Sequence, residues 1–210
     1  MVILRNSVIL LLLTIVTFKK AYGREDLSSI YASVKAHYDT ISTFQSNFEQ
    51  DNYWSELDVY RKSSGLAYYN GSMFLLAYQT PQQEKLLVEE DCITIIDPAS
   101  NQVFISDNFT VELRPDRILS NYWHDADSIA FYELEGNIRL EIFTPESEVI
   151  SIKLVNYLIK EIKVEDPEGN YVNYTFRKEI YNRQLPEDIF RISIPADATI
   201  IDHRQENIPE

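Results

Sequence analysis

The 210-residue chain has one cysteine, five glycines and three histidines, and each scarcity removes a class of function. With Cys92 alone, neither an internal disulfide nor a cysteine-based zinc site can form. Beside Ile93, Ile95 and Ile96, Cys92 reads as a small buried apolar residue. The histidines, His37, His124 and His203, are widely spaced. His124-Asp125-Ala126-Asp127 matches no metal-ligand spacing and reads as a solvated loop, so no metal is expected. Nucleotide-binding glycine patterns and the GxSxG elbow are missing, and nothing marks a serine as a nucleophile; we expect no cofactor, no catalytic residue and no enzyme. Basic residues are also few. The formal net charge is −14, which opposes binding to nucleic acid or an anionic membrane surface.

The longest apolar run, Val8–Phe18, is too short to span a bilayer comfortably. It follows Arg5 and precedes Ala21-Tyr22-Gly23, with small residues at the −3 and −1 positions of a cleavage site. Residues 1–23 therefore read as a cleaved secretory signal peptide. Its removal takes Arg5, Lys19 and Lys20 and no acid, so 16 basic residues face 33 acidic ones and the mature charge is −17. Residues 24–200 are expected to form one domain, with residues 201–210 as a tail.

What is present is mostly strand. Arg24–Ile41 carries a helical stripe of Leu27, Ile30, Tyr31, Val34 and Tyr38, with Asp26 as the expected N-cap. Alternating segments follow at Thr43–Asp51, Asp58–Tyr69, Met73–Thr80, Glu84–Glu89, Cys92–Asp97 and Gln102–Ser106. Asn70-Gly71-Ser72 forms the turn between the second and third. The rhythm breaks at Leu113–Asp127, where Pro115 opens a short helix bearing Ile118, Leu119, Tyr122 and Trp123. Strands resume at Ile129–Leu134, Asn137–Phe143, Val149–Val155, Leu158–Glu165, Tyr171–Ile180 and Ile189–Ile194. Because helices do not alternate with strands, a long antiparallel sheet curled away from flat edges fits the pattern better than a parallel doubly wound sheet. Fourteen tyrosines, ten phenylalanines and two tryptophans exceed what a thin sheet with few helices needs for packing. A concave apolar face left partly unfilled is a site for an apolar ligand.

On these residues the sequence resembles the periplasmic outer-membrane lipoprotein carrier family, LolA. Phe48-Glu49-Gln50 is similar to its F-x-Q strand, and Gly65 through Pro81 to its G-x-L … F-x-W/L-x-Y-x-x-P hairpin. Leu87–Asp91, Ile96-Asp97, Asn101–Val103 and Pro115–Leu119 follow in the family order. So do Asp166–Gly169, Asn182, Leu185-Pro186, Phe190–Ile192 and Pro195. The resemblance implies an unclosed half β-barrel, mainly antiparallel and of about eleven strands, covered by an N-terminal helix and a short central helical lid. It also implies a monomeric periplasmic carrier. Such a carrier accepts lipoprotein acyl chains from an inner-membrane lipoprotein-releasing complex and passes them to an outer-membrane acceptor. A lipid-sensing envelope-stress module on the same scaffold is the alternative, and a secreted hydrolase a more distant one.

By position, Phe48, Phe74 and Leu76 fall on the family's cavity strands, and alternation adds Tyr68, Tyr78, Leu140 and Ile142. Leu27, Ile30, Tyr31, Val34, Ile118, Leu119, Tyr122 and Trp123 would form the lid. Family members place an arginine before the hairpin turn to latch the lid. Here Asn70 stands in its place and Gly71 replaces the usual proline, so the latch is either weaker or supplied by Arg61 or Lys62.

Overall fold

A computed structural model describes residues 24–107, 117–134 and 137–204. The leader expected at 1–23, the Leu113–Asp116 start of the central helix and residues 205–210 of the expected tail lie outside the described residues. The first element is α1, Arg24–Tyr38. It begins two residues before Asp26, so that residue sits in the first turn and not at the cap. It stops at Tyr38, the last residue of the apolar stripe and three residues before Ile41, the expected end of the helical segment. There the Thr40 hydroxyl donates to the His37 carbonyl at 2.7 Å and the chain turns into the β-branched run Thr40, Ile41 and Thr43.

Twelve strands follow among the described residues and form one unclosed sheet. The first half is a meander: β1 Phe44–Trp54, β2 Val59–Tyr69, β3 Phe74–Thr80, β4 Lys85–Val88, β5 Ile93–Asp97 and β6 Gln102–Ser106. A seven-residue helix, α2, Ile118–His124, crosses to the second half. That half comprises β7 Ser128–Leu134, β8 Asn137–Phe143, β9 Val149–Val155, β10 Leu158–Glu165 and β11 Tyr171–Tyr181. β11 pairs antiparallel with β1 and joins the halves, leaving β7 at one edge. Register shifts at Gln45/Asn47, Ser64/Gly65 and Ile159/Glu161 mark local irregularities in the ladders, of the kind that sharpen twist and bend a sheet.

Asn182, at φ 55°, clasps the start of β1 to the end of β11. Its Oδ1 accepts from the Ser42 backbone N–H at 2.8 Å, and its Nδ2 donates to the Thr40 carbonyl at 3.1 Å.

After β11 the chain departs from expectation. Ile189–Ile194 is not a strand but part of a strap of turns across the convex face. Ile189, Phe190 and Ile192 pack there with Leu185 on Tyr68, Leu75 and Leu87. The apolar pattern does reflect burial, but burial achieved by laying one irregular segment across several strands. Nor is the chain a tail from 201: β12, Thr199–Asp202, adds to β6 as a parallel edge strand, with Ile201 opposite Phe104 and Asp202 opposite Ile105. The connection from β6 to β12 runs through the whole second half of the sheet and the strap, the kind of long crossover that a parallel pairing requires.

Candidate functional site: the helix-covered concave face

The concave face is built by alternate residues of a continuous run of strands. Phe44 and Phe48 of β1, Phe74 and Leu76 of β3, Leu140 and Ile142 of β8, and Tyr174 and Phe176 of β11 belong to one buried cluster. Leu27, Ile30, Tyr31 and Val34 of α1 join it, as do Ile118, Leu119, Tyr122 and Trp123 of α2. Every expected lid residue therefore packs on the same apolar layer as the expected wall. Phe74, Leu76, Leu140 and Ile142 are fully buried.

Gly65 has a structural role in this wall. It lies between Phe48 and Tyr78 in the ladder, and without a side chain on β2 the two rings meet edge-on, 5.0 Å apart at 89°. A Cβ on Gly65 would stand 2.1 Å from the Ala77 carbonyl oxygen, so the strands themselves also demand glycine.

Tyr68 is the exception among the expected wall residues. Gly65, Ala67 and Tyr69 are the β2 positions paired with the concave residues of β1 and β3. Tyr68 points to the convex face and is buried under the strap. The stretch Leu66–Tyr69 is apolar on both faces, and no polar alternation marks its outside, so its parity is not legible in the sequence.

Side-chain packing on the apolar layer joins both helices to the sheet. The Ile159 backbone N–H, at a register shift, donates to Tyr38 Oη at 3.1 Å. The Tyr31 and Trp123 rings join α1 to α2, 4.8 Å apart at 41°, and His124 stands edge-on to Tyr31. Among the described residues Asn70 contacts neither helix as a latch would: its Oδ1 accepts from the Ser72 and Met73 backbone N–H groups at 3.1 and 2.8 Å, closing its own turn. Neither Arg61 nor Lys62 replaces it, since Arg61 lies over the Trp54 ring and Lys62 pairs with Asp51 at 3.2 Å. The ionic contact to α2 is one that sequence reasoning missed, between Arg117, just before the helix, and Glu90 in the β4–β5 turn, 3.4 Å apart. Both side chains are solvated, so it contributes little, about 0–1 kcal/mol.

Beyond Phe48 the concave face becomes polar. The Tyr78 hydroxyl donates to Gln50 Oε1 at 2.6 Å, and Gln50 Nε2 donates to Asn52 Oδ1 at 3.0 Å. Burial pushes the Tyr78 hydroxyl far above the ordinary phenol range, with Tyr174 and Glu84 adding to the rise. Burial also raises Tyr174 to about 12. Both phenols are thus neutral hydrogen-bonding groups at any physiological pH. Within the apolar half, Ser46 Oγ is buried with no hydrogen-bond partner among the described residues. Cys92 is half-buried, its thiol pushed up by burial and lying 3.5 Å from Glu89 Oε2.

An unclosed, mainly antiparallel sheet, apolar on its concave face and roofed there by two helices, defines a class of half-barrel binding scaffolds. Residues 39–193 match the family described as outer membrane lipoprotein carrier protein LolA, and the chain belongs to that family. Among solved structures it is similar to an uncharacterized conserved protein from Thermus thermophilus. The two are 13% identical with a TM-score of 0.53, over 84% of this chain and 99% of that one. A DUF1329 family protein from Desulfovibrio piger is 13% identical with a TM-score of 0.49, over 78% and 96% of the two chains. A LolA superfamily protein from Nitrosomonas europaea is 12% identical with a TM-score of 0.43, also over 78% and 96%. Among curated proteins, none matches the chain.

Proposed function

We propose that this protein is a periplasmic lipoprotein carrier. In this reading the concave face takes up acyl chains when α1 and α2 lift away, and the acyl-bearing protein crosses from the inner to the outer membrane shielded from water. The donor would be an inner-membrane lipoprotein-releasing complex and the recipient an outer-membrane acceptor. The leader at 1–23 delivers the chain to that compartment. The observation that carries the reading is the continuous apolar layer shared by sheet and helices, onto which both helices pack with apolar side chains. Each buried methylene is worth about 0.8 kcal/mol, so apolar contacts suffice to retain several acyl chains. Contacts without directional bonds can also be exchanged for others of the same kind, which suits release as well as capture.

The test is protection of a diacylated peptide from aggregation by the purified protein, with the same peptide lacking its acyl chains as the comparison. Protection is expected for the acylated form only. Equal binding of the two forms, or no protection by a folded protein, would sink the reading. Phe74→Glu is unsuitable as the loss-of-binding variant, because Phe74 is fully buried and a carboxylate there would unfold the sheet.

A further inference from the structure

Next to the apolar wall, at the end of β1–β3 where the concave positions turn polar, lies a cleft of about 450 Å³. Gln50, Asn52, Arg61, Lys62, Ser63, Tyr78 and Glu84 are among the residues that line it, and Lys62 is engaged by Asp51 at 3.2 Å. Tyr78 belongs to both regions: its ring packs on Phe48 in the apolar layer, and its hydroxyl reaches Gln50 in the cleft. Asn52 and Arg61 are direct ladder partners, and so are Gln50 and Ser63, so these four side chains rise from the same sheet face. Arg61 rests over the Trp54 ring at 5.7 Å and makes no ion pair among the described residues. Its guanidinium donors are therefore uncommitted to a carboxylate, with amide and hydroxyl groups beside them. That donor set suits a phosphate or carboxylate group. Glu84, on the opposite side, is the one acid lining the cleft.

We infer that this cleft is a head-group site for an amphiphile carrying an anionic group. Arg61 is the recognising residue, and the amphiphile's chains lie on the adjoining apolar face. This rests on the acyl-binding reading above and adds the chemistry of the polar end. The geometry makes the concave face amphiphilic along its length: chains run towards Phe48 and Phe74, and the head meets Gln50, Asn52, Ser63 and Arg61. Glu84 opposes a second negative charge and so limits the head to one compact anion.

The test uses two probes with the same twelve-carbon chain, dodecyl phosphate and dodecyl maltoside. Both are titrated calorimetrically below their micellar concentrations at fixed ionic strength. Dodecyl phosphate should bind the unmodified protein more tightly. Arg61→Gln should weaken it about tenfold, the loss of one charge-assisted contact, while leaving dodecyl maltoside unchanged. Glu84→Gln should strengthen dodecyl phosphate. Arg177→Gln removes the same unit charge from the opposite sheet face, where Arg177 pairs with Glu49 at 3.5 Å outside the cleft, and should have little effect. If Arg61→Gln weakens both probes equally, changes neither, or acts no more strongly than Arg177→Gln, the head-group site is wrong while acyl binding stands. If the unmodified protein binds neither probe, both readings fall together.

Discussion

Replacing Trp123 by leucine is expected to tighten the binding of an acylated peptide. The indole makes the ring contact between α2 and Tyr31 of α1, 4.8 Å apart and tilted by 41°. Such a pair is worth about 0.5–1.5 kcal/mol beyond the area it buries. α2 has seven residues and no side-chain cap, so little within it resists detachment. Its other ties include the buried Ile118 and Leu119, the packing of Tyr122, the edge-on His124–Tyr31 contact and the solvated Arg117–Glu90 contact. If acyl chains enter only when the helices lift, the free energy of helix docking is subtracted from binding. Lowering it by about 1 kcal/mol then raises apparent affinity roughly fivefold. Leucine keeps an apolar side chain on the layer and deletes only the ring. Isothermal titration of a diacylated peptide into the unmodified protein, Trp123→Leu, Tyr31→Leu and the double variant completes a cycle. Each single variant should bind more tightly, and the double variant should gain less than the sum. The urea midpoint reports whether the sheet itself is unchanged. Weaker binding by Trp123→Leu would show the indole to be part of the ligand-contacting wall, and additive effects would show that the two rings do not hold the lid. Either result refutes the reasoning.

Three further outcomes follow from the packing of the concave face. Gly65→Ala should destabilise the fold by about 3 kcal/mol, because the new methyl meets the Ala77 carbonyl oxygen at 2.1 Å; a loss in urea unfolding well under about 1 kcal/mol would contradict that close approach. Ser46→Ala should stabilise the protein by about 1 kcal/mol, since it removes a buried hydroxyl without a hydrogen-bond partner among the described residues, and destabilisation would mean that Ser46 Oγ is hydrogen-bonded in solution. Folding raises the Tyr174 phenol to about 12 and Tyr78 further still, so it favours their neutral forms. The stability this represents is complete below the ordinary phenol pKa of about 10 and is lost as pH rises from there through about 12. Tyrosinate absorbance followed alongside circular dichroism should show these two phenols ionising only as the sheet unfolds, and Tyr174→Phe should flatten the loss. Ionisation of Tyr174 at the ordinary phenol pKa in a folded protein would count against its burial.

Strands with one wet face are legible because their alternation is complete. In β1, Phe44 and Phe48 face the core while Asn47 and Glu49 face water, and the sequence shows both the strand and its facing. The lid stripes on α1 and α2 are readable for the same reason, since a helix with one buried side repeats every three to four residues. Where both faces are covered, the pattern loses its parity. Leu66, Ala67, Tyr68 and Tyr69 are all apolar because the helix-covered layer lies on one side and the strap on the other, so alternation puts Tyr68 on the wrong side. Ile189, Phe190 and Ile192 resemble strand because they are buried, yet their partners are side chains and not a neighbouring ladder. The Arg117–Glu90 contact spans 27 residues and depends on where two turns meet, which local sequence does not encode.

Local sequence is enough to specify the class of fold, most of the segments that become strands, the turn at Asn70-Gly71-Ser72 and the apolar character of the layer between helices and sheet. These properties follow from periodicity, turn chemistry and side-chain size within short windows. Long-range packing sets the rest: which residues share the concave face, why Gly65 must lack a side chain, and how the C-terminal segment straps the convex side and returns as a parallel edge strand. It also brings Arg61 and Ser63 beside Gln50 and Asn52 at the end of the apolar wall. Such outcomes depend on register and on contacts between distant segments. A one-residue shift in register exchanges the two faces of a strand without altering its composition.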